Sequence, residues 1–497
     1  MGRVLFQQRN PEEAAPGGAH QDALGDQPVV CREGITMSER IGDRAVVLGG
    51  SIAGLLAARA LVRHYTEVVV VDRDRLTGVR GPRRGVPHGR HAHGLVARGH
   101  QILESLFPGL TEELVEAGIR PGDFSGDIRW YFNGRLLRPA RTGLVSVPAT
   151  RPVLEYHLRL RVQALTGITF LEEHDVLTLV TSSDRRRVTG VRVRPTAEDA
   201  EQRELAADLV VDTTGRGSRT PAWLDEFGYR RPEEEQVKID LAYTTRHYRL
   251  SSDPFGSDLA IIPAATPSHP RGAFFYRTPG EGHQVELSLT GVLGDHPPTD
   301  PEEFDRFTRS LPVPDIHEAV RNAEALDAPV MHRFPASRRR HYERLDRFPE
   351  RLLVMGDAVC SFNPVYAQGM TVAALQSLVL ERHLRAGHAP EPLPFLRDIS
   401  REIDSPWEFS AGADLGYAGV EAPRPARVRL ANAYVTRVQK AAVHDPALTN
   451  ALMRVAGLME PPQSLMRPAT VLRVLRHAAR RPPAPPGREV PAPEKIA

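Results

Sequence analysis

The chain has 497 residues, a formal net charge of +2, 41% hydrophobic and 25% charged residues, an ordinary composition for a globular protein with room for two or three domains. The near-neutral charge gives no footing for nucleic acid, and no apolar run reaches the roughly 20 residues that a membrane span requires. Only Cys31 and Cys360 carry thiols, so a disulfide framework is not expected and a cytoplasmic location is.

Residues 1–43, rich in Gly, Pro, Gln and acid, read as a disordered extension, and Met37 opens a stretch that reads as a natural start. Ala45 to Leu48 is a short buried strand, Ser51 to His64 a helix, and Glu67 to Val71 a second buried strand ending at Asp72. Together they form a β-α-β unit. A loop dense in Arg, Gly and His follows, and helical periodicity resumes at "LVARGHQILESLFPGLTEELVEAG". A helix starts at Arg151. Strand-like segments "ITFLEEHDVLTLVTS" and "RRVTGVRVRP" precede a further apolar strand, "ADLVVD", which runs into "TTGRGSR". From Val237 to Leu289 the pattern alternates, as an antiparallel sheet does. "RLLVMGDAV" returns to a buried strand, and the chain from Met370 is mostly helical, with a Pro-rich tail.

Three segments carry chemistry. In "GGSIAG", Gly49, Ser51 and Gly54 occupy the glycine positions of G-x-G-x-x-G. Gly49 permits the tight turn and Gly54 allows close helix–strand packing, while Gly50 and Ala53 keep the approach small. The helix start offers free N–H groups to a pyrophosphate, and the Ser51 hydroxyl is a further donor. Asp72, at the end of the second strand, is placed to accept from ribose hydroxyls, with Arg73 beside it. In the second segment a buried strand delivers Gly356-Asp357, a loop with Pro364 follows, and Gly369-Met370 opens a long helix. The third, "LVVDTTGRGSR", is a strand-end turn.

In this order the three segments resemble the FAD-dependent monooxygenases of the p-hydroxybenzoate hydroxylase-type fold. That likeness implies a Rossmann-like α/β FAD-binding domain interleaved with an antiparallel-sheet substrate domain (an α+β mixture), followed by C-terminal helices. The boundaries it implies are 44–225 for the first FAD-binding part, 226–345 for the substrate sheet, 346–390 for the Gly-Asp segment, 391–480 for the helical region and 481–497 for a disordered tail. It implies that the first site holds the ADP part of FAD, and that Asp357 with its loop holds the ribityl chain and ring. It places Arg151 near the flavin, and the backbone at Val176 near the adenine. Arg90 is expected to neutralise the pyrophosphate or to flank the flavin.

"RRGVPHGRHAHGL", "DTTGRGSR" and "GDAVCSFNPVYAQGM" are similar to the flavin epoxidases of polyether antibiotic pathways. That implies oxygen activated on a reduced flavin, an apolar polyketide or terpenoid alkene as substrate, and apolar walls from "LAIIPA", "GAFFYRT" and Trp130–Phe132. Aromatic hydroxylation, a geranylgeranyl-reductase-like reaction and a non-catalytic FAD or lipid carrier stay open. A halogenase is disfavoured because Trp130, Trp223 and Trp407 are scattered. Ala367 replaces a glycine of the family's loop, and Thr214 stands where the hydroxylases have an aspartate. NAD(P)H is the expected electron source, directly or through a flavin reductase or ferredoxin system. His88, His91, His93 and His100 lack carboxylate or Cys partners at ligand spacing, so no metal is expected.

Overall fold

The computed structural model describes residues 40–197 and 200–477. The expected extension, except residues 40–43, and the expected tail lie outside that range. Runs of Val and Leu with no polar alternation make strands buried on both faces. These strands form a five-stranded parallel sheet in the order Leu352–Val354, Leu209–Asp212, Gly42–Leu48, Tyr65–Val71, Ile168–Leu171. Leu48 pairs with both Val71 and Asp212, Asp212 with Val354, and Val71 with Leu171. The register brings four strand ends to one edge, where Gly49, Asp72, Thr213 and Met355–Gly356 leave the sheet. Ligands of open α/β sheets sit at that edge.

The helix Ile52–Leu61 is buried almost all round. A Cβ on Gly54 would lie 1.8 Å from the Gly49 carbonyl oxygen, and Gly49 itself has φ +97°. Glycine is therefore required at both positions, one for packing and one for backbone conformation.

A second, eight-stranded sheet runs Glu324–Ala325, Leu241–Leu250, His283–Gly291, Gly272–Arg277, Ala260–Pro263, Ile128–Phe132, Arg135–Leu136, with Val330–Phe334 also pairing to Leu241–Leu250. Ile128–Phe132 joins it by parallel pairing to Ala260–Pro263. The sheet thus borrows strands from inside the range 44–225, and the sequence boundary at 225 does not follow the architecture. The reason is burial: Ile128 and Trp130 share a core with Ile262, Val438 and Leu448.

Helices Gly369–Leu384, Pro392–Asp414, Ala426–Ala442, Pro446–Ala456 and Pro468–His477 complete the chain. The last of these buries Val474 and leaves Leu472 and Leu475 exposed. No helix among the described residues is long and apolar enough to cross a membrane.

Candidate functional site

A cavity of about 850 Å³ opens at the sheet edge. It is lined by Gly49, Ser51, Ala53, Asp72, Arg73, Arg151, Val176, Gly356, Asp357, Pro364, Gly369 and Met370 among the residues singled out from the sequence. Gly50 and Gly54 lie behind that lining. Gly50 N–H donates to Asp72 Oδ2 at 2.6 Å, and Asp74 N–H donates to Oδ1 at 2.8 Å. Burial holds the Asp72 carboxyl above its ordinary range, against the pull of Arg83 and these backbone donors. One carboxylate thus fastens the glycine turn to the second strand and still faces the cavity.

Two expectations change here. The Ser51 hydroxyl donates to Glu155 Oε2 at 3.0 Å and accepts from Arg151 Nη2 at 2.8 Å, so its proton is already committed within the protein. Arg90 is exposed and outside the lining, because its short 3₁₀ turn, Pro87–Arg90, carries it to solvent. The buried guanidinium is Arg83. It bonds Glu155 through Nε at 2.9 Å and through Nη2, and reaches Asp74 at 3.2 Å and Asp72 at 3.5 Å. Glu155, buried on the helix Arg151–Gln163, also receives Arg159 at 3.2 Å and Arg151 at 3.3 Å. Burial raises its pKa, but the surrounding guanidinium groups win and hold it below the usual carboxylate range. The i, i+4 spacing of Arg151, Glu155 and Arg159 was the available signal for this cluster.

At the other end of the cavity, Gly356 has φ +65° and turns the chain so that Asp357 faces the opening. No protein group hydrogen-bonds this carboxylate among the described residues. Burial raises its pKa, and Arg151 and Arg216 pull it down. The loop Asn363–Gln368 follows, with Ala367 in left-handed backbone at φ 53°. Both polar atoms of the Gln368 amide are buried without a partner, and Gln368 lines the cavity where the helix Gly369–Leu384 begins. An unpartnered amide, an unpartnered carboxylate and a helix start form a donor and acceptor set that fits a polar ring and its sugar-like chain.

The expected apolar walls are elsewhere. Trp130, Phe132, Ile262 and Phe274 pack into the core with the C-terminal helices. The sheet instead presents Tyr243, His332 and Phe334 to the cavity, beside His88 and His93 of the Arg- and His-rich loop. Behind them His91 lies edge-on to Tyr243 at 4.6 Å between ring centroids. Burial first, and then His332 for His91 and Arg151 for His93, depress these histidines, His91 to about 3 and His93 to about 4, so both are neutral at pH 7. His100 stands apart, bonded to Thr111. No group of three or more His, Cys, Asp or Glu among the described residues is arranged to hold a metal ion.

A chain of donors fixes the His91 tautomer. Both nitrogens of His247 face carboxylates, Asp327 at 2.7 Å and Glu286 at 3.6 Å. The bond to Glu286 leads the causes that raise the His247 pKa to about 9, so His247 is an imidazolium. Ser288 Oγ donates to Glu286 Oε1 at 3.2 Å and accepts from Ala92 N–H at 3.1 Å. Its proton is spent, so Thr245 must donate to Ser288. The Thr245 oxygen then accepts from His91 Nδ1 at 2.9 Å. The tautomer assigned by this network carries hydrogen on Nδ1 and a lone pair on Nε2. Only the fold brings these groups together, and no sequence spacing announces them.

Asp212 was also missed. Fully buried, it accepts from Thr214 N–H at 2.8 Å, Thr214 Oγ1 at 2.6 Å, Ser218 at 2.5 Å and Thr220 at 2.6 Å. It locks the turn on which Thr214 lines the cavity. Cys360 is buried, and burial raises its thiol pKa.

A model of the FAD binding domain family matches residues 44–389. Protein Rv3254 of Mycobacterium tuberculosis is 34% identical over 446 residues, covering 85% of this chain and 92% of that protein. A kynurenine 3-monooxygenase of Salinispora arenicola is 27% identical over 376 residues, covering 69% of this chain and 73% of the relative. Among solved structures, p-nitrophenol 4-monooxygenase PnpA of Pseudomonas putida matches 84% of this chain and 98% of its own, with a TM-score of 0.58 at 16% identity. At that identity the likeness shows the fold alone.

Proposed function

This chain belongs to the FAD binding domain family and is a flavin-dependent monooxygenase, and from that premise we propose how its cavity is used. The turn Gly49, Gly50, Ser51, Ala53, Gly54 receives the pyrophosphate with Arg151 and Arg83. Asp72 and Arg73 hold the adenosine ribose, and Val176 borders the adenine. Gly356 and Asp357 take the ribityl chain, while Pro364, Gly369 and Met370 border the ring. Bound there, the flavin supplies the reductive activation of oxygen and the delivery of one oxygen atom. The protein positions the substrate, excludes water and handles protons. The observation that carries this assignment is Asp357, which faces the cavity without a partner beside the start of a long helix.

Two substrate classes follow. The likeness to polyether-pathway epoxidases supports an alkene in an apolar polyketide or terpenoid. The cavity wall supports an aromatic ring, because Tyr243, His332 and Phe334 line it. The kynurenine 3-monooxygenase relative agrees with the second class. The aromatic lining is the feature that favours hydroxylation over epoxidation. Turnover under ¹⁸O₂ with candidate arenes and alkenes tests this. One labelled atom per product is expected; product without label would mean a reductase-like reaction, and no product at all mere carriage.

Electrons come from NAD(P)H. With Thr214 where the hydroxylases have an aspartate, direct docking is weak, and a flavin reductase or ferredoxin system is the better donor. Slow anaerobic bleaching of the bound flavin by NADPH alone is the expected stopped-flow result. Bleaching within one turnover time would contradict it.

A further inference from the structure

Among the described residues, the helices beyond residue 390 line no part of the cavity, yet one of them reaches its back. Asp414 is the last residue of the helix Pro392–Asp414 and is 0% exposed. Its Oδ1 accepts from Asn363 Nδ2 at 3.0 Å and from Tyr366 OH at 2.9 Å, and its Oδ2 accepts from Asn363 Nδ2 at 3.2 Å. The Tyr366 ring also meets Phe409 of the same helix edge-on, with centroids 5.6 Å apart.

Asn363 and Tyr366 bracket a single 3₁₀ turn, Pro364–Tyr366. Asn363, Pro364, Ala367 and Gln368 of this loop line the cavity, while Tyr366 does not. The front of the loop is thus part of the site and its back is tied to Asp414. The loop is not self-supporting. Ala367 holds left-handed backbone without being glycine, a conformation that persists only when the surroundings enforce it. Asn363 Oδ1 also accepts from Val365 N–H at 3.1 Å, so its orientation, set by Asp414, governs the turn.

A buried carboxylate without a cation is costly. No Lys, Arg or His forms an ion pair with Asp414 among the described residues. Besides Tyr366, Asp414 interacts electrostatically with Tyr417, and burial pushes the Asp414 carboxyl up to about 7. Replacing Asp414 with an apolar residue would remove that burden, so its presence calls for a role beyond packing.

We propose that Asp414 is a positioning residue of the flavin site, clamping the loop Asn363–Gln368 from the C-terminal helical layer through Asn363 and Tyr366. The flavin part of this statement rests on the cofactor placement above. The clamp itself does not.

The test uses the full chain with D414A, D414N and Y366F. Backbone amide exchange over 363–370 is measured without flavin, and the FAD dissociation constant is measured by fluorescence titration. In D414A, exchange over 363–370 accelerates while that over 52–61 stays unchanged. At pH 8, where the Asp414 carboxyl is mostly ionised, FAD affinity falls about tenfold, the loss expected for bonds to a charged acceptor. D414N keeps one acceptor but sets an amide N–H against Asn363, and gives a smaller change of the same sign. Y366F, which loses one hydroxyl, does the same. Unchanged loop exchange and unchanged FAD affinity in D414A would overturn the proposal. If D414A does not fold, the same null result in D414N and Y366F overturns it. Wild-type protein that fails to bind FAD would sink the cofactor placement, and the amide exchange would still decide the clamp.

Discussion

Replacing Glu155 with Gln removes the carboxylate that Arg83, Arg151 and Arg159 share. The side chains of Glu155, Arg83 and Arg159 are each 4% exposed, so solvent screens little of the change. Arg83 keeps Asp74 at 3.2 Å and Asp72 at 3.5 Å, and Arg159 keeps the carbonyls of Leu76 and Val79 at 2.9 and 2.8 Å. Breaking one side of a buried pair costs about 3–5 kcal/mol. With those surviving partners and an isosteric amide, about 2–3 kcal/mol is expected without FAD. For a chain of this size, ~1 °C of melting midpoint corresponds to 1 kcal/mol, so the apo protein should melt about 2–3 °C lower. The FAD pyrophosphate brings two negative charges to the same guanidinium groups, so the gap should shrink below ~1 °C when FAD saturates. Linkage then requires FAD to bind the variant more tightly, about tenfold per 1.4 kcal/mol recovered. Differential scanning fluorimetry with and without FAD, together with fluorescence titration, reads both quantities. Weaker FAD binding combined with an unchanged or wider gap would refute the charge-balance reasoning, and would mean that Glu155 acts by shape.

Three further outcomes are expected. Gly54→Ala places a methyl 1.8 Å from the Gly49 oxygen, so the helix must lift from the turn; released-flavin assays should find little FAD, and normal content would show that the turn tolerates the shift. His247, with its pKa raised to about 9, gives stability that is fully present below about 6.5 and lost as pH rises through 9. His247→Gln should flatten that loss, which is about 1–2 kcal/mol for a ring one-third exposed and partly screened, and urea titrations at pH 6.5 and 9.5 measure it. Glu286→Leu removes the acceptor that orders Ser288 and Thr245, so ¹⁵N spectra, with the His91 signal assigned from His91→Gln, should show a mixed tautomer in place of pure Nδ1–H.

The parallel sheet was legible because unbroken apolar runs end in Gly or Asp, and register then forces those ends together. Asp357 and Gly369 were legible for the same reason. Glu155 was not, since an Arg-Glu-Arg ladder at i, i+4 looks the same on a surface helix as in a buried one. Arg83 was hidden among many loop arginines, of which Arg90 turned outward. Alternation along Leu241–Leu250 revealed a two-faced strand but not which face meets the cavity. Trp130 and Phe132 therefore looked like cavity walls, when helices more than 300 residues later cover them. The Asp414 contact crosses from the helical layer to the loop, and no local pattern encodes it.

The measurement closest to the central claim is the flavin released by heat from wild-type protein and from Asp357→Ala. The account predicts about one FAD per wild-type chain, and loss of most of it in the variant, where a charge-assisted bond of about 1.5–3 kcal/mol is gone. Full FAD occupancy in Asp357→Ala, with unchanged affinity, would contradict the placement of the cofactor in this cavity.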